Sequence, residues 1–348
     1  MASKASDVKE TLRQLGEKQA GMPFSRLYAF SDLADEPLAD FCAVWDTFPT
    51  VQRRRLIRSL VELAEASFEV NFDAIFFYCL NDPDDQVRAA AIDGLWENRG
   101  LPLLGRLLSI LRNDPSPLAR TAAATGLGHY VLAGELEELD PAIEARIMLE
   151  LMTTIHLADE SMDVRRRAIE SAAYACTPEV AEALELAYYD EDEDMRISAV
   201  VGMGRSCDER WMEIVLTELE SPSAAMRYEA ALACGNLMLR ESAPILAQLL
   251  DDADPQIREA SIWSLGQIGG GRAKQVLMAA YEDADEDTRV LLDEALTEQA
   301  LSEGNLDFLL YELDEDEDDG LFDDELLTLW SQDDDLEDEE DEDDWELP

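Results

Sequence analysis

The sequence predicts an all-α fold built as a solenoid, a superhelical stack of antiparallel helix pairs followed by a charged tail. Three observations carry the prediction. One motif recurs about every 31 residues over most of the chain. Each copy places apolar residues at helical spacing. After residue 300 the motif stops and acidic runs take over.

The motif is an acidic or proline-bearing turn, an apolar residue, an arginine and an alanine-rich helix. Its copies are DPDDQVRAAAIDGLW, DPSPLARTAAATGLG, ESMDVRRRAIESAAY, DEDEDMRISAVVGMG, SPSAAMRYEAALACG, DADPQIREASIWSLG and DADEDTRVLLDEAL. Their arginines are Arg88, Arg120, Arg165, Arg196, Arg227, Arg258 and Arg289, spaced 32, 45, 31, 31, 31 and 31 residues apart. A constant period of this length marks a repeat array. Four residues after the arginine stand Ile92, Ala124, Ile169, Val200, Ala231 and Ile262; seven after it stand Leu95, Leu127, Ala172, Met203, Cys234, Leu265 and Leu296. Those two positions share a helical face, so they form the buried stripe of a second helix. Three residues after the arginine, alanine or serine fills the column from Ala91 to Ser261, and eight after it come Gly128, Gly204, Gly235 and Gly266. Small side chains there let neighbouring helices approach. Apolar residues thirteen and eight before the arginine, such as Ile75 and Leu80 or Ile245 and Leu250, define a first helix. Helices this short are stable only when stacked on neighbours.

The ends follow from the same pattern. Residues 1–48 read as an N-terminal helical cap whose aromatics (Phe24, Tyr28, Phe30, Phe41, Trp45) cover the open end of the stack. Residues 49–300 form the solenoid of about eight repeats, starting with a degenerate copy, PTVQRRRLIRSLVEL, that has Arg53 as anchor and Ile57 and Leu60 buried. The long interval before Arg165 puts 14 extra residues around HYVLAGELEELDPAIEARI, read as a lengthened helix and loop. Asp293 replaces the apolar residue of the last copy, as expected where no further unit follows. Residues 301–348 are an acidic, disordered interaction tail in which acidic runs alternate with Phe308, Tyr311, Phe322, Trp330 and Trp345.

Charge bounds the partners. The chain has 27 basic and 79 acidic residues, a net charge of −52, and the tail alone holds 24 acidic and no basic residues. Such a surface disfavours nucleic acid and anionic membrane and favours a protein with a basic or mixed surface. With 47% hydrophobic residues the acidity does not imply wholesale disorder. Five cysteines without a CxxC pair read as reduced thiols, and Met1–Gly21 lacks the apolar core of a secretory signal. No apolar run reaches the roughly 20 residues a membrane span needs. A monomeric cytoplasmic protein is expected.

The Asp-Pro turn, the apolar-arginine pair and the alanine-rich second helix resemble HEAT repeats, and the near-31-residue period is similar to those of the phycobilisome lyase type. LLDDADPQIREASIWSLGQIG and LNDPDDQVRAAAIDGLW are the best copies, and the resemblance spans roughly residues 50–300. It implies a right-handed superhelix with the second helices on the concave side. The outward positions five and nine residues after the arginine then offer a partner face of Tyr174, Val201, Arg205, Leu232, Asn236, Trp263 and Gln267, with Val201, Leu232 and Trp263 as an apolar ridge. HEAT-like oxygenases hold iron through His-Glu pairs; here Tyr130 follows His129 and Leu157 follows His156, which departs from that pattern.

No zinc spacing, P-loop or GxSxG is present. The run Asp314–Gly320 imitates a calcium loop, but its glycine and its glutamate never fall at positions 6 and 12 together. No cofactor or metal is expected, and no enzyme activity. His156 reads as a part-buried structural histidine, and Cys176 and Cys207 as core residues. Asp163, Asp194 and Asp287 read as helix caps, and the anchor arginines as bridges to the adjoining unit. The leading function is a non-catalytic scaffold or adaptor that uses its concave face and its acidic-aromatic tail. The alternatives are an acidic chaperone-like binder of basic clients and, by repeat analogy, a bilin lyase. The tail is also a candidate to fold back onto Arg53–Arg58 or Arg165–Arg167.

Overall fold

The computed structural model describes residues 8–14 and 24–302. The tail, with Phe308, Tyr311, Phe322, Trp330, Trp345 and the calcium-like run, lies outside the described residues. Among those described, every regular element is helical.

After residues 8–14, a short helix Phe24–Leu27 and a 3₁₀ turn Tyr28–Phe30, the chain forms paired helices. The helices α1 Asp35–Trp45, which packs on α3, and α2 Thr50–Ala66 come first, and the pairs are α3 Asp73–Cys79 with α4 Asp85–Asp93, α5 Leu101–Asn113 with α6 Pro117–Glu135, and α7 Pro141–His156 with α8 Met162–Ala172. They continue as α9 Pro178–Tyr188 with α10 Glu193–Arg205, α11 Met212–Glu218 with α12 Ala224–Asn236, α13 Ala243–Leu249 with α14 Pro255–Ile268, and α15 Gly270–Asp283 with α16 Glu286–Ser302.

Turn chemistry starts the second helices. Asp84, Ser161, Asp192 and Asp254 accept the amide of Val87, Val164, Met195 and Gln256 respectively, closing the helix N-termini. The cap therefore sits four residues before the anchor arginine. Asp163 and Asp194 lie inside the first turn and do not cap; at the last unit Asp285, and not Asp287, takes the Thr288 amide. Prolines at the start of α6, α7, α9 and α14 cost no hydrogen bond, because those first amides have no helical partner.

The even-numbered helices α2 to α16 form one uninterrupted row, each packed on the next. The odd-numbered row is looser: α5 meets α7 and α13 meets α15, whereas α9 packs on neither α7 nor α11 to a comparable degree. The two rows are therefore unequally packed, and we call the surface formed by the even helices the inner face. The tight row rests on small residues. A Cβ at Gly204 would lie 2.8 Å from Ala233 Cα, and one at Gly266 would lie 3.0 Å from Ala295 Cα. Each glycine eight residues after an arginine thus meets the residue six after the next arginine. That second column (Gly94, Gly126, Ser171, Gly202, Ala233, Ser264, Ala295) is small throughout.

The 14 extra residues lengthen α6 to 19 residues and α7 to 16. Gly134 admits the Glu144 side chain, so the added turns of α6 pack on α7. Leu157 falls just past the end of α7 and is exposed, while Leu151 and Ile155 fill the core. At the front end Phe30, Phe41 and Trp45 stack together, buried, and Trp45 Nε1 donates to Asp82 at 2.8 Å.

Gly204→Val should force α10 from α12 and cost about 2–3 kcal/mol in urea unfolding, the usual penalty of overpacking. Gly105→Ala, where a Cβ meets nothing within 4 Å, should instead add about 0.5–1 kcal/mol by helix propensity. Equal effects of the two would contradict the packing described.

Candidate functional site

Several anchor arginines are spent inside the stack. Arg88 donates to both carboxylate oxygens of Asp114 in the next turn, at 2.8 and 2.6 Å, and to the Asp82 carbonyl of its own turn. Arg120 repeats this with Glu160 and the Asp114 carbonyl, and Arg227 with Asp252 and the Ser221 carbonyl. Arg53 opens the series on Asp82. Each aspartate also accepts the amide two residues on, as Asp82 does from Asp84 and Asp252 from Asp254. Where the sequence changes, so does the bridge. Ser221 stands where Arg196 would need a carboxylate, and among the described residues Arg196 donates to the Asp190 and Glu191 carbonyls. Arg165 reaches the Ile155 carbonyl, Arg258 the Asp252 carbonyl, and Arg289 lies over the Tyr281 ring. Within the stretches Arg53–Arg58 and Arg165–Arg167, Arg54 holds Asp84, Arg166 holds Asp194 and Arg167 holds Glu170.

The inner face carries the other named residues at the C-terminal ends of successive even helices. Arg205 and Asn236 are the last residues of α10 and α12, and Tyr174 follows α8. Arg205 donates to the Glu170 carbonyl at 2.9 Å, satisfying the end of the preceding helix, and lies over the Tyr174 ring at 5.2 Å. Beneath them Glu170 is buried and takes Arg167 at 2.6 Å. Burial, with the charge of Glu170 beside it, pushes the Glu229 carboxyl up. The expected apolar ridge is only partly open. Val201 and Leu232 are half-buried, and Leu232 packs on the core. Trp263 is 40% exposed because it lies across the helix before it: a Cβ on Gly235 would fall 2.6 Å from its ring. Asn236 is exposed and Gln267 half-buried.

Farther along the same face, α4 and α6 enclose a cavity of about 300 Å³. The helices differ in length, nine residues against 19, so α4 ends before it has covered α6. Ile92, Leu95, Leu103 and Leu107 line the inside, while Glu65, Asp93, Trp96, Arg99 and His129 stand around it. Asp93 reaches water yet is walled by protein; this desolvation, then the charge of Glu65, pushes its carboxyl up to about 6. Burial, with Arg99 and Arg205 nearby, lowers the His129 pKa. Arg99 is turned to the Trp96 carbonyl and lies 3.5 Å from His129 Nδ1. Sequence reasoning passed over Trp96, although it occupies the column that glycine fills in four other copies.

Two expectations fail at helix ends. His156 is exposed in the last turn of α7 rather than part-buried, because that helix ends there. Cys176 and Cys207 are both exposed, since each lies in a turn beyond the end of an even helix; Cys176 Sγ donates to the Ser206 carbonyl. Among the described residues no three His, Cys, Asp or Glu side chains are gathered as metal ligands, and no helix is long and apolar enough to cross a membrane.

Residues 212–297 match the family model for HEAT repeats. Those residues are HEAT repeats, and the same helix pair with the same arginine turn runs upstream of them. The match is to HEAT repeats as such and does not reach the phycobilisome lyase type. No curated protein sequence matches the chain. Among solved structures the chain is similar to the E. coli protein YibA, with 18% identity and a TM-score of 0.41 over 68% of this chain and 95% of that one. It is also similar to human deoxyhypusine hydroxylase in complex with glycerol (15%, 0.33, over 86% and 97%), and to importin beta (15%, 0.44, over 85% and 48%).

Arg88→Ala strands the carboxylate of Asp114 in a nearly closed seam and should cost about 3 kcal/mol; Arg196→Ala loses only hydrogen bonds to carbonyls and should cost about 1 kcal/mol. Chemical denaturation of the two variants distinguishes these. Asp93 is harder to ionise in the fold than in the unfolded chain, so its charge weakens the fold above about pH 6 and ceases to matter below the ordinary value of 3.8. Asp93→Asn should therefore raise the melting temperature at pH 7–8 and leave it unchanged near pH 3.

Proposed function

We propose that this HEAT-repeat chain is a non-catalytic scaffold that holds a protein partner on the inner face of its superhelix, with the acidic-aromatic tail adding affinity. The observation that carries the reading is the continuity of the even-helix row. It sets Tyr174, Arg205, Leu232, Asn236, Trp263 and Gln267 on consecutive units of one surface. Aromatic and arginine side chains of this kind supply most of the energy where proteins meet. The net charge of −52 suits a partner with a basic or mixed surface. A monomer working in the cytoplasm agrees with the same composition.

One observation favours a second reading: the 24 acidic residues of the tail suit capture of basic clients without any shaped face. Affinity purification with the full chain, with a chain ending at residue 302, and with Arg205→Glu/Trp263→Ala separates the two. The scaffold reading expects the same partner on the full and shortened chains, with at least tenfold less on the double variant. Recovery that ignores the double variant but collapses on tail removal and with added salt would replace it with the client-binding reading.

A further inference from the structure

We propose that the cavity between α4 and α6 is a receptor for a cationic group on an aliphatic stem, either a lysine or arginine side chain of a protein partner or a free alkylamine. In its first form the proposal rests on the scaffold reading and assigns that partner a specific anchor.

The shape comes first. At about 300 Å³ the cavity lies at the small end of ligand pockets, sized for one extended side chain. The opening exists because α4 stops at Asp93 and because Gly126 puts no side chain between Ile92 and Leu107. Its interior is aliphatic, from Ile92, Leu95, Leu103 and Leu107, which suits methylene groups. Trp96, 40% exposed, also lines the cavity, and indole rings bind cations.

The charges sort to the same conclusion. Glu65 from α2 and Asp93 from α4 both line the cavity. Elsewhere in this part of the stack the carboxylates of Asp82, Asp84, Asp114 and Glu160 hold an arginine. Glu65 and Asp93 hold no such arginine among the described residues, and after desolvation the charge of Glu65 contributes to the raised pKa of Asp93. An entering cation offsets that charge. Of the remaining groups, Arg99 is directed to the Trp96 carbonyl and His129, and desolvation together with Arg99 and Arg205 favours neutral His129. Tyr130 donates to the carbonyls of Asn98 and Gly100 and is likewise uncharged, its pKa pushed up to about 12. The acidic side of the rim is left open to a cation.

The chain itself supplies the test. It has six tryptophans, and their indole N–H signals in ¹H–¹⁵N spectra report on separate places, with Trp96 assigned through Trp96→Phe. Agmatine and N-acetyl-arginine-N-methylamide serve as probes for the full chain at fixed ionic strength. A saturable shift of Trp96 is expected, while Trp330 and Trp345 in the acidic tail follow only bulk ion condensation. Glu65→Gln/Asp93→Asn, checked for helix content by circular dichroism, should weaken the response about fivefold or more, and the wild-type response should fade as the pH drops through 6. Binding of both probes supports a partner side chain, and binding of agmatine alone supports a free amine. A Trp96 signal that moves no more than the tail signals, or an unaltered titration of the double variant, overturns the proposal. Partner capture that survives Glu65→Gln/Asp93→Asn but fails with Arg205→Glu/Trp263→Ala removes the anchor while the scaffold reading stands.

Discussion

Where α10 passes α12, only hydrogen atoms separate two backbones, since a Cβ on Gly204 would sit 2.8 Å from Ala233 Cα. The same approach recurs from unit to unit along the even-helix row. It holds these helices closer than their partners in the odd row. The buried apolar stripes hold the units together without specificity. The small residues decide how near the units lie and in what register, because glycine eight residues after one arginine must meet a small residue six after the next. Gly235 shows the cost and the use of this rule together: it weakens its own helix, and it gives the Trp263 ring a seat on the inner face.

The arginine seams add direction. The guanidiniums of Arg88, Arg120 and Arg227 tie their own turn to the following one through a fork of hydrogen bonds, and serine at residue 221 leaves Arg196 on the carbonyls of its own turn. The inner face then divides into regions of different chemistry on one regular frame. Trp263 and Leu232 occupy one part, and the Tyr174, Arg205 and Glu170 brace the middle. Beyond the brace lies the cavity with its unbridged carboxylates.

Much of this could be read beforehand, and the reasons are local. The arginine period located every even helix from α4 to α16, since spacing along a helix translates directly into a face. Residues four and seven after the arginine are buried as expected in nearly every unit. The failures share a cause: helix length. His156 reads as part-buried from its helical neighbours and Cys176 and Cys207 as core from their repeat spacing, but the helix carrying each position ends before or at it, so burial no longer follows period. Trp96 was hidden for the same reason. It lies past the shortened α4, and the signal that could have found it was an exception to a column rather than a member of one. The small column six residues after each arginine was equally present in the sequence. It gains meaning only when the neighbouring unit is placed against it.

The looseness of the odd row has a mechanical consequence. Grooves of about 610 and 420 Å³ flank α9, floored by Ala183 on one side and Ala181 on the other. A stack joined tightly along one edge and gapped along the other behaves like a book on its spine. Its pages can fan or close with little loss of buried area, while the bound edge keeps its length. Packing alone therefore predicts that the stack bends more readily at α9 than it stretches along the even-helix edge.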